Sequence, residues 1–265
     1  MLMHTRAARL TLLIAALLGG AHTARAQAEG SGGLPLVSAG DRALLRVMPI
    51  PVSAEFNAGA LDLRRGMTTV GVRCSDPRVA RALVRFGRNL SQLRGRVRSV
   101  GGGRASFTVS CSKRAGSVQL PVEDESYSLI ARPTGVTLSA QTPYGVLAGL
   151  ETLLQLVEAT DSSISVPSVT IEDRPRYPWR GLMIDVARHW MPKAVILRNL
   201  DAMAAVKLNV LHLHLSDDQG FRVESRRYPK LHQMGSEGKF YTQEQIRGIL
   251  WEYLATFAYW RRGWL

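Results

Sequence analysis

The positions of apolar and polar residues divide the chain into two regions. In the first, from about residue 44 to residue 168, short stretches alternate apolar and polar residues, as at 68–74 (TTVGVRC) and 105–111 (ASFTVSC). Such alternation predicts strands that turn one face to a core. Between these two stretches, apolar residues recur every three or four positions, which predicts a helix capped by Ser75 or Asp76.

Three further elements are predicted before residue 168. Residues 126–132 (SYSLIAR) and 135–140 (GVTLSA) flank a Pro-Thr step, which indicates a hairpin of two strands. A second helix begins with Thr142 as its N-cap and Pro143 in its first turn, which are positions that these residue types favour. We therefore expect a small sheet with two helices packed on it.

The second region follows a proline-rich stretch at 166–181. Residues 181–187 (GLMIDVA) are mostly apolar, which is typical of a strand buried on both faces of a parallel sheet. A predicted helix at 192–208 comes next, then a second strand at 210–218 (VLHLHLSDD) and another helix at 242–255. The alternation of strand and helix predicts two units of a βα series.

The N-terminal segment 1–26 has the layout of a secretory signal. Arg6 and Arg9 precede the apolar run Leu10–Leu18, and the small residues of Ala24–Ala26 suit a signal-peptidase site. We place cleavage after Ala26, so the mature chain is expected to be periplasmic or secreted. No later stretch has the roughly 20 unbroken apolar residues that a membrane span needs.

The chain contains two cysteines, Cys74 and Cys111. In an oxidising compartment they could form one disulfide, but two buried free thiols fit the sequence equally well. No cysteine and histidine spacing is typical of a zinc site. The spacing therefore predicts no zinc site.

The basic charge of the chain is concentrated in one helix. The formal net charge is +13 at pH 7, and it falls to +10 when the three arginines of segment 1–26 are removed. Eight arginines and no acidic residue lie between Pro77 and Arg104, and such a cluster can mark a nucleic-acid site. On a helix, however, four of them fall opposite the apolar stripe, and no aromatic residue is interleaved for base stacking. These four are Arg78, Arg81, Arg85 and Arg88.

We therefore expect a solvated helix face and no nucleic-acid partner. The stripe on the other side of this helix is expected to lie in the core, and it consists of Val79, Leu83, Phe86, Leu90 and Leu93. Binding of a polyanion to the arginine face stays open as an alternative.

Polar side chains collect after the two predicted βα strands. They are Asp185, Arg188 and His189 after the first strand, and His212, His214, Asp217 and Asp218 within or after the second. In the second strand the leucines share one face and the histidines the other. Because chemistry in a βα barrel takes place at the carboxyl ends of its strands, we predict that these side chains meet at one mouth. Alternatively, Asp217 caps the next segment and the histidines are packing residues.

Three longer motifs carry a resemblance to a known family. They are 177–192 (YPWRGLMIDVARHWMP), 200–231 (LDAMAAVKLNVLHLHLSDDQGFRVESRRYPKL) and 241–247 (YTQEQIR). With the segments at 142–156 and 171–181, they resemble glycoside hydrolase family 20, the β-N-acetylhexosaminidases. The resemblance runs from about residue 44 to residue 247.

The resemblance implies a fold and a reaction. A small α+β domain at 27–175 would precede a (β/α)8 barrel, whose first two units would fill 176–265. The family removes terminal β-linked GlcNAc or GalNAc from oligosaccharides with retention of configuration. The acetamido oxygen of the substrate attacks its own anomeric carbon, so the reaction departs from the scheme with two catalytic carboxylates and uses no metal or cofactor.

The resemblance also implies roles for particular residues. Arg180 would hold the hydroxyl groups of the terminal sugar, because guanidinium presents a fixed fork of donors. Asp217 would support the acid/base machinery through a histidine found later in the family, and Asp218 could exchange roles with it. The mouth would be lined or braced by Asp185, Arg188, His189, His212 and His214.

The catalytic Asp-Glu pair of the family, which follows two glycines, does not occur in this sequence. Its one Asp-Glu step is Asp124–Glu125, which we interpret as a solvated turn. Two units cannot close a barrel of about 250 residues, so we expect the chain alone to be inactive and poorly stable. The C-terminal segment 251–265 holds six of the 18 aromatic side chains, which favours a frameshift or misplaced stop over a short product with a binding tail.

A second hypothesis comes from a different class of function. In it, the chain is a non-catalytic envelope protein that binds an anionic glycan through the arginine face. The two hypotheses differ in their dependence on salt, because binding through exposed charges weakens steeply as ionic strength rises.

Overall fold

The computed structural model describes the backbone of residues 46–94, 105–116 and 119–257, and side chains as far as residue 251. The predicted secretory signal and the last part of the aromatic tail lie outside the described residues. The first half of the described chain forms one sheet with two helices, and the second half forms two βα units.

The sheet has seven strands: β1 (Ser53–Asp62), β2 (Met67–Arg73), β3 (Ala105–Cys111), β4 (Tyr127–Arg132), β5 (Gly135–Ala140), β6 (Glu158–Ala159) and β7 (Ile164–Asp173). Their order in the sheet is β1-β7-β4-β5-β3-β2, with the short β6 beside β7. The two helices are α1 (Pro77–Arg94) and α2 (Pro143–Gln155). Strands β2, β3 and β5 are parallel neighbours, whereas β4 pairs antiparallel with β5 and β7.

The core of this half lies between the sheet and the two helices. Alternate residues of the central strands are fully buried there, such as Phe107 of β3, Leu129 of β4 and Leu138 of β5. Phe86 of α1 packs on Phe107 with ring centroids 5.7 Å apart. The predicted hairpin and both predicted helices are therefore confirmed.

The predicted start of the second helix is also confirmed. The hydroxyl of Thr142 accepts a hydrogen bond from the backbone N–H of Gly145 at 3.4 Å, and Pro143 begins α2. The cap satisfies one of the backbone donors that a helix leaves unpaired at its N-terminus.

The prediction of a solvated arginine face on α1 is wrong for two of its four members. Arg78 is only 3% exposed, and it pairs with Asp76 at 2.6 Å and lies over the ring of Tyr144. Arg85 pairs with Glu151 of α2 at 3.6 Å. Arg81 and Arg88 are exposed as predicted. The helical pattern could not show this difference, because burial and pairing depend on residues outside the helix.

The cysteines form a disulfide between neighbouring strands. Cys74 directly follows β2, and Cys111 ends the parallel neighbour β3, which brings their Cα atoms to 4.9 Å. Of the two alternatives that the sequence left open, the structure therefore selects the disulfide.

The second half contains the predicted βα units. Its elements are β8 (Gly181–Asp185), α3 (Lys193–Ala205), β9 (Val210–His214), the short hairpin β10 (Ser216–Asp217) and β11 (Gly220–Phe221), α4 (Lys230–Gly235) and α5 (Gln243–Phe257). Strands β8 and β9 are parallel, with α3 as the crossover between them. The predicted fold class, a small α+β domain followed by two βα units, is confirmed.

Helices α3 and α5 cover one face of β8 and β9. Ile184, Ile196 and Ile249 are buried in this second core, and the leucines of β9 pack against its edge. His212 lies on the opposite face and is exposed, so the predicted alternation of leucine and histidine is confirmed. No described helix has the length and apolar character to span a membrane.

Buried charges join the sheet to the βα units. Arg180, just before β8, forms an ion pair with Glu125, and the side-chain amide of Asn209 donates to Glu125 at 3.2 Å. Lys207 lies near Asp173 at 3.4 Å. The prediction that Asp124–Glu125 is a solvated turn is therefore wrong for Glu125, which is buried, because its partners come from 55 and 84 residues further along the chain.

Candidate active site

The candidate site lies at the carboxyl ends of the two parallel strands. Asp185, the last residue of β8, is directly opposite His214, the last residue of β9. The chain then turns into the hairpin of β10 and β11, which carries Asp217. The strand register therefore brings together side chains that are about 30 residues apart in sequence.

Arg188 links these side chains into one cluster. Its guanidinium donates to Asp185 at 2.6 Å and lies 2.6 Å from Oδ2 of Asp217. The same oxygen of Asp217 is 2.9 Å from Nε2 of His214. We call these four residues the mouth cluster. It contains two carboxylates, one guanidinium and one imidazole.

Both carboxylates of the mouth cluster are held in their ionised form. The backbone N–H of Asp218 and the side chain of His214 lower the pKa of Asp217 to about 2. Hydrogen bonds from Arg188 lower the pKa of Asp185. Carboxyls of this kind keep their negative charge at neutral pH and cannot serve as a general acid there. They can orient neighbouring donors and accept hydrogen bonds from hydroxyl groups.

The mouth cluster is open to solvent. The Arg188 side chain is 54% exposed and that of Asp217 is 27% exposed. The other residues predicted for the mouth, His189, His212 and Asp218, are exposed as well. A guanidinium that is fixed by two carboxylates and still faces solvent is a ready donor for a ligand with several hydroxyl groups.

The structure does not bring Arg180 to this site. Arg180 precedes the first residue of β8, whereas Asp185 ends that strand. Its guanidinium is directed to protein groups: the carboxylate of Glu125 and the backbone carbonyls of Lys207 and Tyr177 at 2.8 Å each. The side chain is only 10% exposed.

The described residues contain no cluster of three His, Cys, Asp or Glu side chains that could hold a metal ion.

The sequence contained a signal for the position of Arg188. It lies three residues after a strand-ending aspartate, in a segment that turns out of the sheet, and its backbone N–H donates to Asp185 at 3.0 Å. A residue in such a turn stays at the carboxyl end of its strand. The buried pairing of Glu125 with Arg180 had no comparable local signal, because 55 residues separate the partners.

Both halves of the chain match models of one family. Residues 44–174 match the family described as "Glycosyl hydrolase family 20, domain 2", and residues 177–256 match "Glycosyl hydrolase family 20, catalytic domain". The second match contains all four residues of the mouth cluster.

Individual relatives agree with this result. The chain is 44% identical over 131 residues to "Beta-hexosaminidase subunit beta" of Entamoeba histolytica, covering 48% of this chain and 23% of that protein. It is 39% identical over 147 residues to "Beta-hexosaminidase" of Porphyromonas gingivalis, covering 49% of this chain and 19% of that protein. The chain thus spans about a fifth to a quarter of the length of these curated relatives.

A solved structure extends the agreement to the fold. The Flavobacterium johnsoniae chitobiase superposes with a TM-score of 0.70 and 37% identity, over 80% of this chain and 33% of that one. The two family matches, the relatives and this superposition agree with each other and with the architecture described above. The chain belongs to glycoside hydrolase family 20.

Proposed function

We propose that this chain supplies the first part of the sugar site of a β-N-acetylhexosaminidase. The substrates would be oligosaccharides that end in β-linked GlcNAc or GalNAc. The observation that carries the proposal is the mouth cluster, which places a fixed guanidinium between two carboxylates at the carboxyl ends of β8 and β9, in a chain of this family.

In this proposal Arg188, rather than Arg180, donates to the hydroxyl groups of the terminal sugar. Arg188 is exposed and held in place by Asp185 and Asp217, whereas Arg180 is occupied at the far end of β8. Asp217 acts as a permanent carboxylate that orients His214 and Arg188. The exposed residues His189 and Asp218 lie close enough in sequence to extend the same surface.

The bond-breaking step would use groups that this chain does not contain. The sequence has no Gly-Gly-Asp-Glu stretch, and substrate-assisted hydrolysis needs a carboxylic acid to protonate the leaving oxygen. We expect the chain by itself to release no product from a chromogenic N-acetylglucosaminide. Measurable release that survives removal of contaminating enzymes would contradict this expectation.

We also propose that the protein is exported to the periplasm or the exterior. The leader pattern of segment 1–26 supports export. The bond between Cys74 and Cys111 is of the kind that persists in oxidising compartments. The competing idea of an anionic-glycan binder loses support, because Arg78 and Arg85 of its arginine face are held in ion pairs.

A chimera tests the proposed function. Residues 44–247 of this chain would replace the matching segment of the Flavobacterium johnsoniae chitobiase, and hydrolysis of para-nitrophenyl N-acetyl-β-glucosaminide would be measured. We expect the chimera to be active. Arg188→Met should lower its kcat/KM by about 10- to 100-fold, because a hydrogen bond to a charged group is worth roughly 1.5–3 kcal/mol.

The comparison variant is Arg180→Lys, which keeps the charge at the other end of β8. We expect this change to lower stability while kcat/KM per folded molecule changes less than that of Arg188→Met. A larger loss with Arg180→Lys would return the sugar-binding role to Arg180. A folded chimera without activity would contradict the proposed function.

A further inference from the structure

Arg222 is a buried arginine whose donors go to backbone carbonyls. It is 6% exposed, and none of the ion pairs among the described residues involves it. Its guanidinium donates to the carbonyl oxygens of Val186 (3.2 Å), Ala187 (3.0 Å), Ser236 (2.7 Å), Gln219 (3.4 Å) and Lys239 (3.4 Å). Burying a charge in this way carries a desolvation penalty, which hydrogen bonds to carbonyl dipoles offset.

The carbonyls that Arg222 binds belong to the segments that carry the mouth cluster. Val186 and Ala187 open the turn at 186–191, which contains Arg188 and which we call the mouth turn. Gln219 lies in the hairpin at 216–221, which contains Asp217 and which we call the mouth hairpin. Arg222 therefore connects the mouth turn to the mouth hairpin.

Gly220 provides the space that the guanidinium occupies. A Cβ atom at this position would lie 2.5 to 2.7 Å from the guanidinium atoms of Arg222, which is closer than real Cβ contacts come. Gly220 pairs with Asp217 across the mouth hairpin. Any larger residue at 220 would displace either the guanidinium or the strand that faces Asp217.

Tyr241 holds the other end of the mouth turn. Its hydroxyl donates to the carbonyl of Met191, and its ring lies 4.5 Å from the ring of Trp190. Its backbone N–H donates to the carbonyl of Arg222 at 2.9 Å. The mouth turn is thus held at its first residues by Arg222 and at its last residues by Tyr241.

We propose that Arg222 is a positioning residue, which fixes the mouth turn against the mouth hairpin so that Arg188 meets Asp217. Gly220 makes room for it, and Tyr241 assists at the far end of the turn. The statement that the mouth cluster binds a sugar rests on the proposed function, but the positioning role of Arg222 does not. The positioning itself is tested without any sugar.

The test measures the pKa of the Asp217 carboxyl by NMR titration of the whole chain, with the signal assigned through Asp217→Asn. The groups that face this carboxyl are Arg188, His214 and the backbone N–H of Asp218. In Arg222→Lys the charge stays, but one ammonium cannot span the same carbonyls. We expect the pKa of Asp217 to rise above about 2 by the part that Arg188 contributes, which is smaller than the parts of the Asp218 backbone N–H and the His214 side chain.

The matched control is Arg78→Lys, which changes another buried arginine that also donates to a backbone carbonyl, that of Gly116 at 2.9 Å. A role in stability alone would lower the melting temperature in both variants and leave the Asp217 pKa unchanged in both. We expect the pKa to move in Arg222→Lys only. An unmoved pKa in folded Arg222→Lys overturns the proposal.

Two further variants cover the case in which Arg222→Lys does not fold. Gly220→Ala pushes against the guanidinium without removing it, and it should raise the Asp217 pKa in the same direction. Tyr241→Phe removes one hydroxyl and should give the same direction with a smaller shift. If either variant folds and the Asp217 pKa is unchanged, the proposal is overturned, as it would be by an unchanged pKa in folded Arg222→Lys.

Discussion

Arg180 and Arg188 stand at opposite ends of β8 and make the same kind of contact with different consequences. Each pairs with a carboxylate. The side chains of Arg180 and Glu125 are 10% and 6% exposed, whereas those of Arg188 and Asp185 are 54% and 23% exposed. The two ion pairs have the same chemistry, and they differ in burial. Arg180 is therefore a structural residue, whereas Arg188 is a candidate for binding a ligand.

The buried end of β8 acts as a joint between the two halves of the chain. Burial raises the pKa of Glu125, although Arg180 and Asn209 oppose the rise. A charge pair in such a place adds little net stability compared with apolar residues, but removing one partner is costly. The exposed end has the reverse properties, since solvent screens its pairs and leaves the charges accessible to a ligand.

The largest expected effect follows from the same substitution at both arginines. Arg180→Met leaves the carboxylate of Glu125 buried without its cation, and we expect a loss of about 3–5 kcal/mol in the free energy of unfolding. Arg188→Met should cost only a small fraction of that, because its partners are solvated. Urea unfolding followed by circular dichroism measures both. Equal losses would remove the distinction between the two ends.

A pH series tests the buried end of β8 through the direction in which stability changes with pH. Because its pKa is raised above 4.5 in the folded state, Glu125 contributes stability that is fully present below pH 4.5 and is lost as the pH rises through the folded value. Relative to Glu125→Gln, the wild-type chain should therefore gain stability as the pH falls from about 7 to about 4.5. A gain in the opposite direction would mean that the pair with Arg180 outweighs burial.

The smallest effect is expected at the exposed end. The folded pKa of Asp217 is lowered from 3.8 to about 2, so its contribution is present above pH 3.8 and is lost as the pH falls through about 2. The stability of the wild-type chain relative to Asp217→Asn should therefore fall as the pH drops from about 4 to about 2. No change in this difference over that range would contradict the lowered pKa.

The sequence predicted local structure well, but it predicted poorly which side chains contact each other across the fold. Strands β2 to β5 and β8, the capped start of α2 and the alternation in β9 follow from patterns within a few residues, and the structure confirms them. The predicted strand at 210–218 instead stops at His214 and continues as the mouth hairpin. The glycine at 220 that the hairpin needs is visible in the sequence, but its reason, the guanidinium of Arg222, is not.

By itself, the sequence determined the order of the elements, the family and the presence of polar residues at two strand ends. These properties depend on the period of apolar residues and on contiguous motifs, both of which are local. Only the tertiary structure decided which arginine is buried at the joint, which faces solvent at the mouth, and that Arg222 holds the two segments of the mouth together. These outcomes depend on contacts between residues far apart in the chain, since burial and pairing set the free energy of a charge and no local pattern records either.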